Sequence, residues 1–295
     1  MSGTEGLREI TARRLVHAPD GNAVCILGQG TWAMGDNLAR RSEEIASLRC
    51  GLDLGLQVID TAEMYGNGAS ERLVGEAIKG RRDEVFLVTK VLPSHATRRG
   101  VAESCRASLQ RLKTDYIDLY LLHWPGSTPI SETIEAFMRL QDEGLIRKWG
   151  VSNFDTDDIK SMQKVVTTST CYANQILYNP EYRGIEYDLL ALNQSQKILT
   201  MAYSPLGQAG AMLRHPVLAK VAAKYETSLG PATPAQIILA WVMRMPNMVS
   251  IPKASNLQHV RSNVAALEIT LDKEDLQILD KAFPPPGIKT PLAVL

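Results

Sequence analysis

Cysteine is scarce in this 295-residue chain. The four present, Cys25, Cys50, Cys105 and Cys171, are scattered without a CxxC pair, which excludes a disulfide scaffold and a Cys-rich zinc site. Net charge is also missing. Lys plus Arg is 32 and Asp plus Glu is 32, which argues against nucleic acid or an anionic membrane as the main partner. No stretch reaches the 18 or so apolar residues of a membrane span, and MSGTEGLREI carries no apolar signal region. A reducing cytoplasm is the expected location. Internal repeats, low-complexity stretches and linkers are absent as well, so one domain over residues 1–295 is expected. The third glycine of a dinucleotide fingerprint is missing too: in LGQGTWAMG, Gly28 and Gly30 are followed by Ala33 where GxGxxG needs glycine.

What the chain does have is alternation. Short runs rich in Val, Ile, Leu and Tyr predict strands near Ala23–Leu27, Gln57–Asp60, Val85–Lys90, Tyr116–His123, Lys148–Val151, Ala173–Leu177, Ile198–Ala202 and Met248–Ile251. Longer amphipathic segments separate them. Ser42 precedes Glu43 and Glu44, acids that suit a helix start, with Ile45, Leu48 and Leu52 at helical spacing. Thr233-Pro234-Ala235-Gln236 holds a capping residue, a first-turn proline and a capping-box glutamine. Asp272 opens a last helix that Pro284-Pro285-Pro286-Gly287 ends. Eight such units predict an α/β fold, a (β/α)₈ TIM barrel. Arg13–His17 and Val24–Leu27 flank Pro19-Asp20-Gly21-Asn22, which predicts an N-terminal β-hairpin closing the bottom.

Barrel chemistry sits at the C-terminal ends of strands. The second apolar run ends in Asp60, followed by Thr61-Ala62-Glu63-Met64-Tyr65-Gly66; the third ends in Lys90, and the fourth in His123-Trp124-Pro125. Taken singly, each has a plainer reading: a turn aspartate, a loop tyrosine, a solvent-reaching lysine, a core histidine. On three consecutive strand ends the plainer readings become improbable together. A buried ammonium needs a carboxylate partner, and Asp60 is the obvious one for Lys90. A cation beside a phenol favours the phenolate, so Lys90 is expected to lower Tyr65 from its free value near 10. Tyr65 can then donate a proton to a carbonyl oxygen that His123 orients. Reduction should be favoured at mildly acid to neutral pH, because the donor must begin protonated. With no metal cluster and no flavin signature, a nicotinamide cofactor is the natural hydride source. Asp118 and Tyr120 lie too deep in their strand to face the mouth and are expected to be structural.

These residues resemble the aldo-keto reductase superfamily over nearly the whole chain. Five segments carry the likeness in order: GLQVIDTAEMYG at 55–66, VFLVTK ending at Lys90, LYLLHWP around His123, KWGVSNF at 148–154 and IPKAS at 251–255. The resemblance implies an NAD(P)H-dependent carbonyl reductase in which Tyr65 is the proton donor, Asp60 and Lys90 tune it and His123 orients the substrate. It implies that Ser152, Asn153 and Gln175 bind the nicotinamide carboxamide and that Tyr203 stacks on the ring. Ser204, Pro205, Leu206 and Gly207 would run along the pyrophosphate. Gly30, Thr31, Trp32, Ile251, Pro252, Lys253, Ala254, Ser255, His259 and Asn263 complete the implied cofactor set. Lys253 would pair with the 2′-phosphate of NADPH at a helix start, where free N–H groups also suit an anion. Many NADPH-preferring members have Lys-Ser and an arginine six residues after the lysine; here Ala254 and His259 stand in those places, with Ser255, Asn256 and Arg261 nearby. Histidine, unlike arginine, loses its charge as pH rises through neutrality. NADPH is therefore expected to be preferred, with NADH possible.

Trp32 and Trp124, with Met34, are expected to give apolar walls around a polar centre. The tail after Pro286 is nine residues, Gly287 to Leu295, a shortness that resembles prokaryotic members and implies an open site for small aldehydes and ketones, dicarbonyls included. The expected activity is of the alcohol dehydrogenase (NADP⁺)/aldehyde reductase type, in a monomer or weak homodimer. Two other classes compete. Lys90 could form a Schiff base as in class I aldolases, which Tyr65, Asp60 and the SPLG and IPKAS segments argue against. A non-catalytic nucleotide sensor is disfavoured by the complete set of four polar residues.

Overall fold

The computed structural model describes residues 3–165 and 171–295. Helix α1 (Gly3–Arg13) leads into a hairpin, β1 (Leu15–His17) and β2 (Ala23–Cys25). Eight parallel strands follow: β3 (Gln29–Gly30), β4 (Val58–Asp60), β5 (Phe86–Val91), β6 (Ile117–Leu122), β7 (Ile146–Ser152), β8 (Ala173–Leu177), β9 (Leu199–Tyr203) and, after a two-residue ribbon β10 (Glu226–Thr227) and β11 (Gly230–Pro231), β12 (Met248–Ser250). The intervening helices are α2 (Arg41–Asp53), α3 (Ala69–Ala77), α4 (Arg98–Leu112), α5 (Ile130–Asp142), α6 (Thr156–Gln163), α7 (Leu189–Ser195), α8 (Pro216–Ala222), α9 (Pro234–Met243) and α10 (Leu257–Ala265); α11 (Lys273–Ala282) comes last. Among the described residues no helix is long and apolar enough to cross a membrane.

The (β/α)₈ expectation holds. Strands lie side by side in chain order from β3 to β12. Parallel bridges from Leu27 to Ser250 and from Gly30 to Lys253 join the two outer strands and close the cylinder. Its interior is filled by Val58, Val88, Leu119, Leu121, Ala173, Met201 and Val249, as a packed barrel core requires. Val16, Ala18 and Val24 of the hairpin region join this same cluster, so the hairpin plugs the bottom. Its turn is held by Asp20, whose carboxylate accepts from the Asn22 backbone and side-chain amides.

One strand departs from expectation. Residues Ala23–Cys25 pair back on Leu15–His17 rather than into the barrel, and the first barrel strand is the short Gln29–Gly30. Glycine hides this strand from a reading based on apolar β-formers. The reason for glycine is contact. A Cβ at Gly30 would stand 2.7 Å from the Ile251 carbonyl oxygen, across the seam where Gly30 N–H donates to Pro252 O at 3.0 Å. Helix α1 was not expected either. It buries Leu7 beside Leu54 and Leu56, and the Thr11 hydroxyl donates to Leu54 O at 2.6 Å.

The helix signals fare better. Thr233 and Gln236 form the expected capping box at α9, and Asp272 caps α11 by accepting from Asp275 N–H. Asp118 is structural, taking Arg82 at 2.7 Å and the Leu87 N–H at 2.9 Å, while Tyr120 packs edge-on to Phe137.

Gly30→Ala should force the seam apart. Overpacking against backbone costs about 1–3 kcal/mol, so the thermal midpoint of the cofactor-free protein should fall by several degrees; an unchanged midpoint would mean the seam yields freely.

Candidate active site

Lys90 leaves β5 with a fully buried side chain. Its ammonium has three N–H donors and no acceptor, and three acceptors surround it: Asp60 Oδ2 at 2.9 Å, Thr61 O at 2.7 Å and Tyr65 Oη at 3.2 Å. Asp60 ends β4 and is equally buried. Its other oxygen, Oδ1, accepts from Gln175 Nε2 at 2.7 Å. Both carboxylate oxygens thus face donors, which only the ionised form satisfies. Burial pushes the Asp60 carboxyl up, with Lys90 and Gln175 pulling it back. Burial pushes Lys90 down, but the charges of Asp60 and Tyr65 leave it raised overall. The pair stands charged because its hydrogen bonds are complete on both sides.

The geometry has a consequence for Tyr65. Since Lys90 can only donate, the phenol oxygen accepts from it, and the phenol's own proton must point elsewhere. The expected direction of its pKa is reversed here. Burial, the largest cause, raises the phenol above its ordinary value; Lys90 pulls it down and the Asp60 charge raises it. Trp32 packs edge-on at 5.0 Å and His123 at 5.8 Å from the Tyr65 ring, which supplies the burial. The tyrosine is therefore protonated through neutral pH, and the nearby ammonium is placed to take up negative charge once the proton leaves.

The loop that carries Tyr65 is fixed from several sides. Thr31 Oγ1 donates to Asp60 O at 2.9 Å; Ser70 Oγ lies 2.7 Å from Thr31 Oγ1 and 3.1 Å from Thr61 Oγ1. Glu63 accepts from Leu92 N–H at 2.7 Å and lies 3.0 Å from His95 Nδ1. Gly66 turns the chain in a left-handed conformation with φ 54°, and a Cβ there would fall 2.1 Å from Asp36 Oδ1.

His123, just past β6, is 7% exposed, and its Nδ1 is buried without a partner. Burial, with the Lys90 charge second, holds its imidazole down at about 3. It is a neutral group beside Tyr65. Trp124 lies against it with ring centroids 4.7 Å apart.

Asp60, Tyr65 and His123 open onto one cavity of about 820 Å³, with the fully buried Lys90 behind them. Gly30, Thr31 and Trp32 line it, as do Ser152, Asn153, Gln175, Tyr203, Ser204, Pro205 and Leu206. Ile251, Pro252, Lys253, Ser255, His259 and Asn263 complete the expected set on the far strands and α10. Two expected members do not line it. Ala254 is buried outside the barrel with Leu54 and Val260, and Gly207 sits where its Cβ would meet Met212. Met34 is wholly buried in the core rather than at the mouth, and Arg261 turns toward Cys50.

The expected carboxamide ligands are already partly engaged. Asn153 Nδ2 donates to His123 O at 3.0 Å and to Ser152 Oγ at 3.2 Å, and its Oδ1 accepts from Tyr203 Oη at 2.9 Å. Ser152 Oγ donates to Gln175 O at 2.9 Å. These bonds set the tilt of the Tyr203 ring, whose hydroxyl burial pushes up to about 12. At Lys253, burial lowers the ammonium from its ordinary value and the charge of Arg40 lowers it further, against Glu44 and Asp36.

Arg40, Met64, Gln208, Leu213, Ser262, Val294 and Leu295 also line the cavity and were not foreseen. Ser262 stands three residues after His259 on α10, a periodicity that could have found it. The two tail residues correct the expectation of an open site. Lys289 is tied to Asp188 at 2.9 Å and Asp155 at 3.4 Å, and the tail then folds back so that Val294 and Leu295 wall the cavity.

Residues 26–283 match the Aldo/keto reductase family, and the chain belongs to it. It is 47% identical over 270 residues to methylglyoxal reductase YeaE of Escherichia coli K12, a match covering 90% of this chain and 93% of that protein. Among solved structures it is similar to a Klebsiella pneumoniae aldo-keto reductase in complex with NADPH, at 45% identity and TM-score 0.90, covering 96% of this chain and 99% of the other. A Klebsiella pneumoniae aldo/keto reductase in complex with NADP and acetate has TM-score 0.89 at the same identity and coverage.

Two measurements follow from this site. Lys90→Met strands the buried Asp60 charge and should destabilise the fold by about 3–5 kcal/mol; adding Asp60→Asn should recover a large part of that in denaturant melts. In an NMR titration, the His123 ring should keep its neutral-imidazole shift from pH 8 down to pH 5, and a midpoint inside that range would contradict the assigned environment.

Proposed function

We propose that this chain is an NADPH-dependent reductase of small aldehydes and ketones, dicarbonyls such as methylglyoxal included, with Tyr65 as proton donor. The observation that carries this reading is the hydrogen-bond direction at Tyr65: the Lys90 ammonium occupies the phenol oxygen from the buried side, so the phenol proton is left for a substrate oxygen in the cavity.

The cavity suits such a cofactor. Tyr203 presents an aromatic ring held by Asn153, Gln175 and Ser152 stand beside Asp60 and Asn153, and Lys253 with the first turn of α10 offers cation and backbone N–H groups for a phosphate. When bound, reduced nicotinamide supplies hydride, two electrons and a proton equivalent, to the carbonyl carbon. The chain's residues handle the oxygen. Neutral His123 hydrogen-bonds the carbonyl oxygen and keeps it within reach of Tyr65. As charge builds on that oxygen, Tyr65 gives up its proton, and the phenolate formed is stabilised by Lys90 at 3.2 Å. Asp60 holds the ammonium in place throughout. Trp32 and Trp124 flank the reacting groups with apolar surface, and no cation among Tyr65, His123 and the two tryptophans offers a carboxylate-bearing substrate a partner. Methylglyoxal fits this preference, being small, uncharged and doubly carbonyl, and the 47% identical relative named for its reduction supports the choice.

Tyr65→Phe should bind NADPH with unchanged affinity, read by quenching of protein fluorescence, while methylglyoxal reduction falls by about 10²–10⁴-fold. Turnover retained within a factor of a few would remove Tyr65 as the donor.

A further inference from the structure

Where most of the cofactor-side residues lie on α10 or on the strands around β12, Arg40 reaches the cavity from elsewhere. It ends a single helical turn, Leu38–Arg40, that Asn37 caps by accepting from Ala39 N–H. This turn stands at the head of α2, over 200 positions from Lys253 in sequence. Both side chains line the same cavity, beside Ser255, Asn256 and His259. The one carboxylate paired with Arg40 among the described residues is Glu43 at 3.9 Å, with both side chains about half exposed; such a contact holds a guanidinium weakly. Glu44, nearby, is buried and already accepts the Gly35 N–H at 2.9 Å.

We propose that Arg40 is a second cation for the adenosine 2′-phosphate of NADPH, supplying from the loop before α2 the guanidinium that the His259 position lacks. The inference rests on the NADPH reading above. A phosphomonoester near neutral pH carries between one and two negative charges and three acceptor oxygens. Two cations brought to it from different elements of the fold match that charge; one lysine does not. The Ser255 hydroxyl and the opening N–H groups of α10 add neutral donors. Without the phosphate, Arg40 and Lys253 line the same cavity as like charges that repel, Arg40 lowering Lys253 along with its burial while Glu44 and Asp36 offset this in part. NADH, with a hydroxyl in that place, leaves the repulsion standing. Discrimination between the two cofactors thus comes from relieving a like-charge contact as well as from new hydrogen bonds.

The test uses the full chain and four probes, NADPH, NADH, adenosine 2′,5′-bisphosphate and ADP, titrated by calorimetry at fixed salt. Arg40→Ala should weaken NADPH and adenosine 2′,5′-bisphosphate by roughly 10- to 100-fold, the loss of one charge-assisted hydrogen-bonded pair. Affinities for NADH and ADP should change less than about twofold, and Arg40→Lys should restore most of the loss. Equal weakening of all four probes would put Arg40 on the pyrophosphate and overturn the proposal. No weakening of any would overturn it as well. Lys253→Ala separates the two levels of argument. If wild type prefers NADPH and that preference falls in Lys253→Ala but not in Arg40→Ala, this inference alone fails. If wild type shows no preference for NADPH, the cofactor reading fails and takes this one with it.

Discussion

A lysine ammonium removed from water is the constraint around which this molecule is arranged. Lys90 is wholly buried, and such a group survives only if every N–H finds an acceptor and a counter-charge is close. Its three acceptors come from the end of β4 and from the loop that follows, so the demand of one side chain on β5 fixes where the next loop must run. The same demand decides which way the Tyr65 hydroxyl faces. Stability and chemistry are therefore settled by the same three hydrogen bonds, and neither can be altered alone.

Much of this was legible in the chain. Apolar runs ending in Asp60, Lys90 and His123 marked three neighbouring strand ends, because an ionisable group after Val and Ile has few reasons to sit there. The capping box at Thr233 and Gln236 was equally plain, since its signal is local. What stayed hidden depended on partners remote in sequence. Gln29–Gly30 did not read as a strand, because its glycine answers to a carbonyl on Ile251 and not to β-propensity. Arg40 carried no periodic signal, lying in a loop whose fold is set by Asn37 and Gly35. The direction of the Tyr65 shift was not legible, because the sequence shows Lys90 nearby, whereas burial by Trp32 and His123 comes from two other loops.

Charge is balanced over the chain as a whole, with 32 of each sign, yet it is not spread evenly around the cavity. Among the described residues, the charges acting on the phenol are the Asp60–Lys90 pair, which cancel, and His123 is neutral. The far side holds Lys253 and Arg40. An anionic ligand is thus drawn to one part of the cavity and an uncharged carbonyl compound tolerated in the other. Trp32, more than half exposed at 52%, and the folded-back Val294 and Leu295 leave apolar surface at the mouth that a small ligand can cover.

The cylinder is not equally strong all round. β6 and β7 are laced through five paired positions, whereas β3 meets β12 through two bridges. This join is one of the thin ones, like β3–β4 and β7–β8 with two paired positions each, and its two lips carry Gly30 to Trp32 on one side and Ile251 to Lys253 on the other. Those lips are also two walls of the binding cleft. Opening of this thin seam would part surfaces that the proposed function assigns to a dinucleotide, and a ligand spanning both would act as a clasp, tightening the cylinder as it binds.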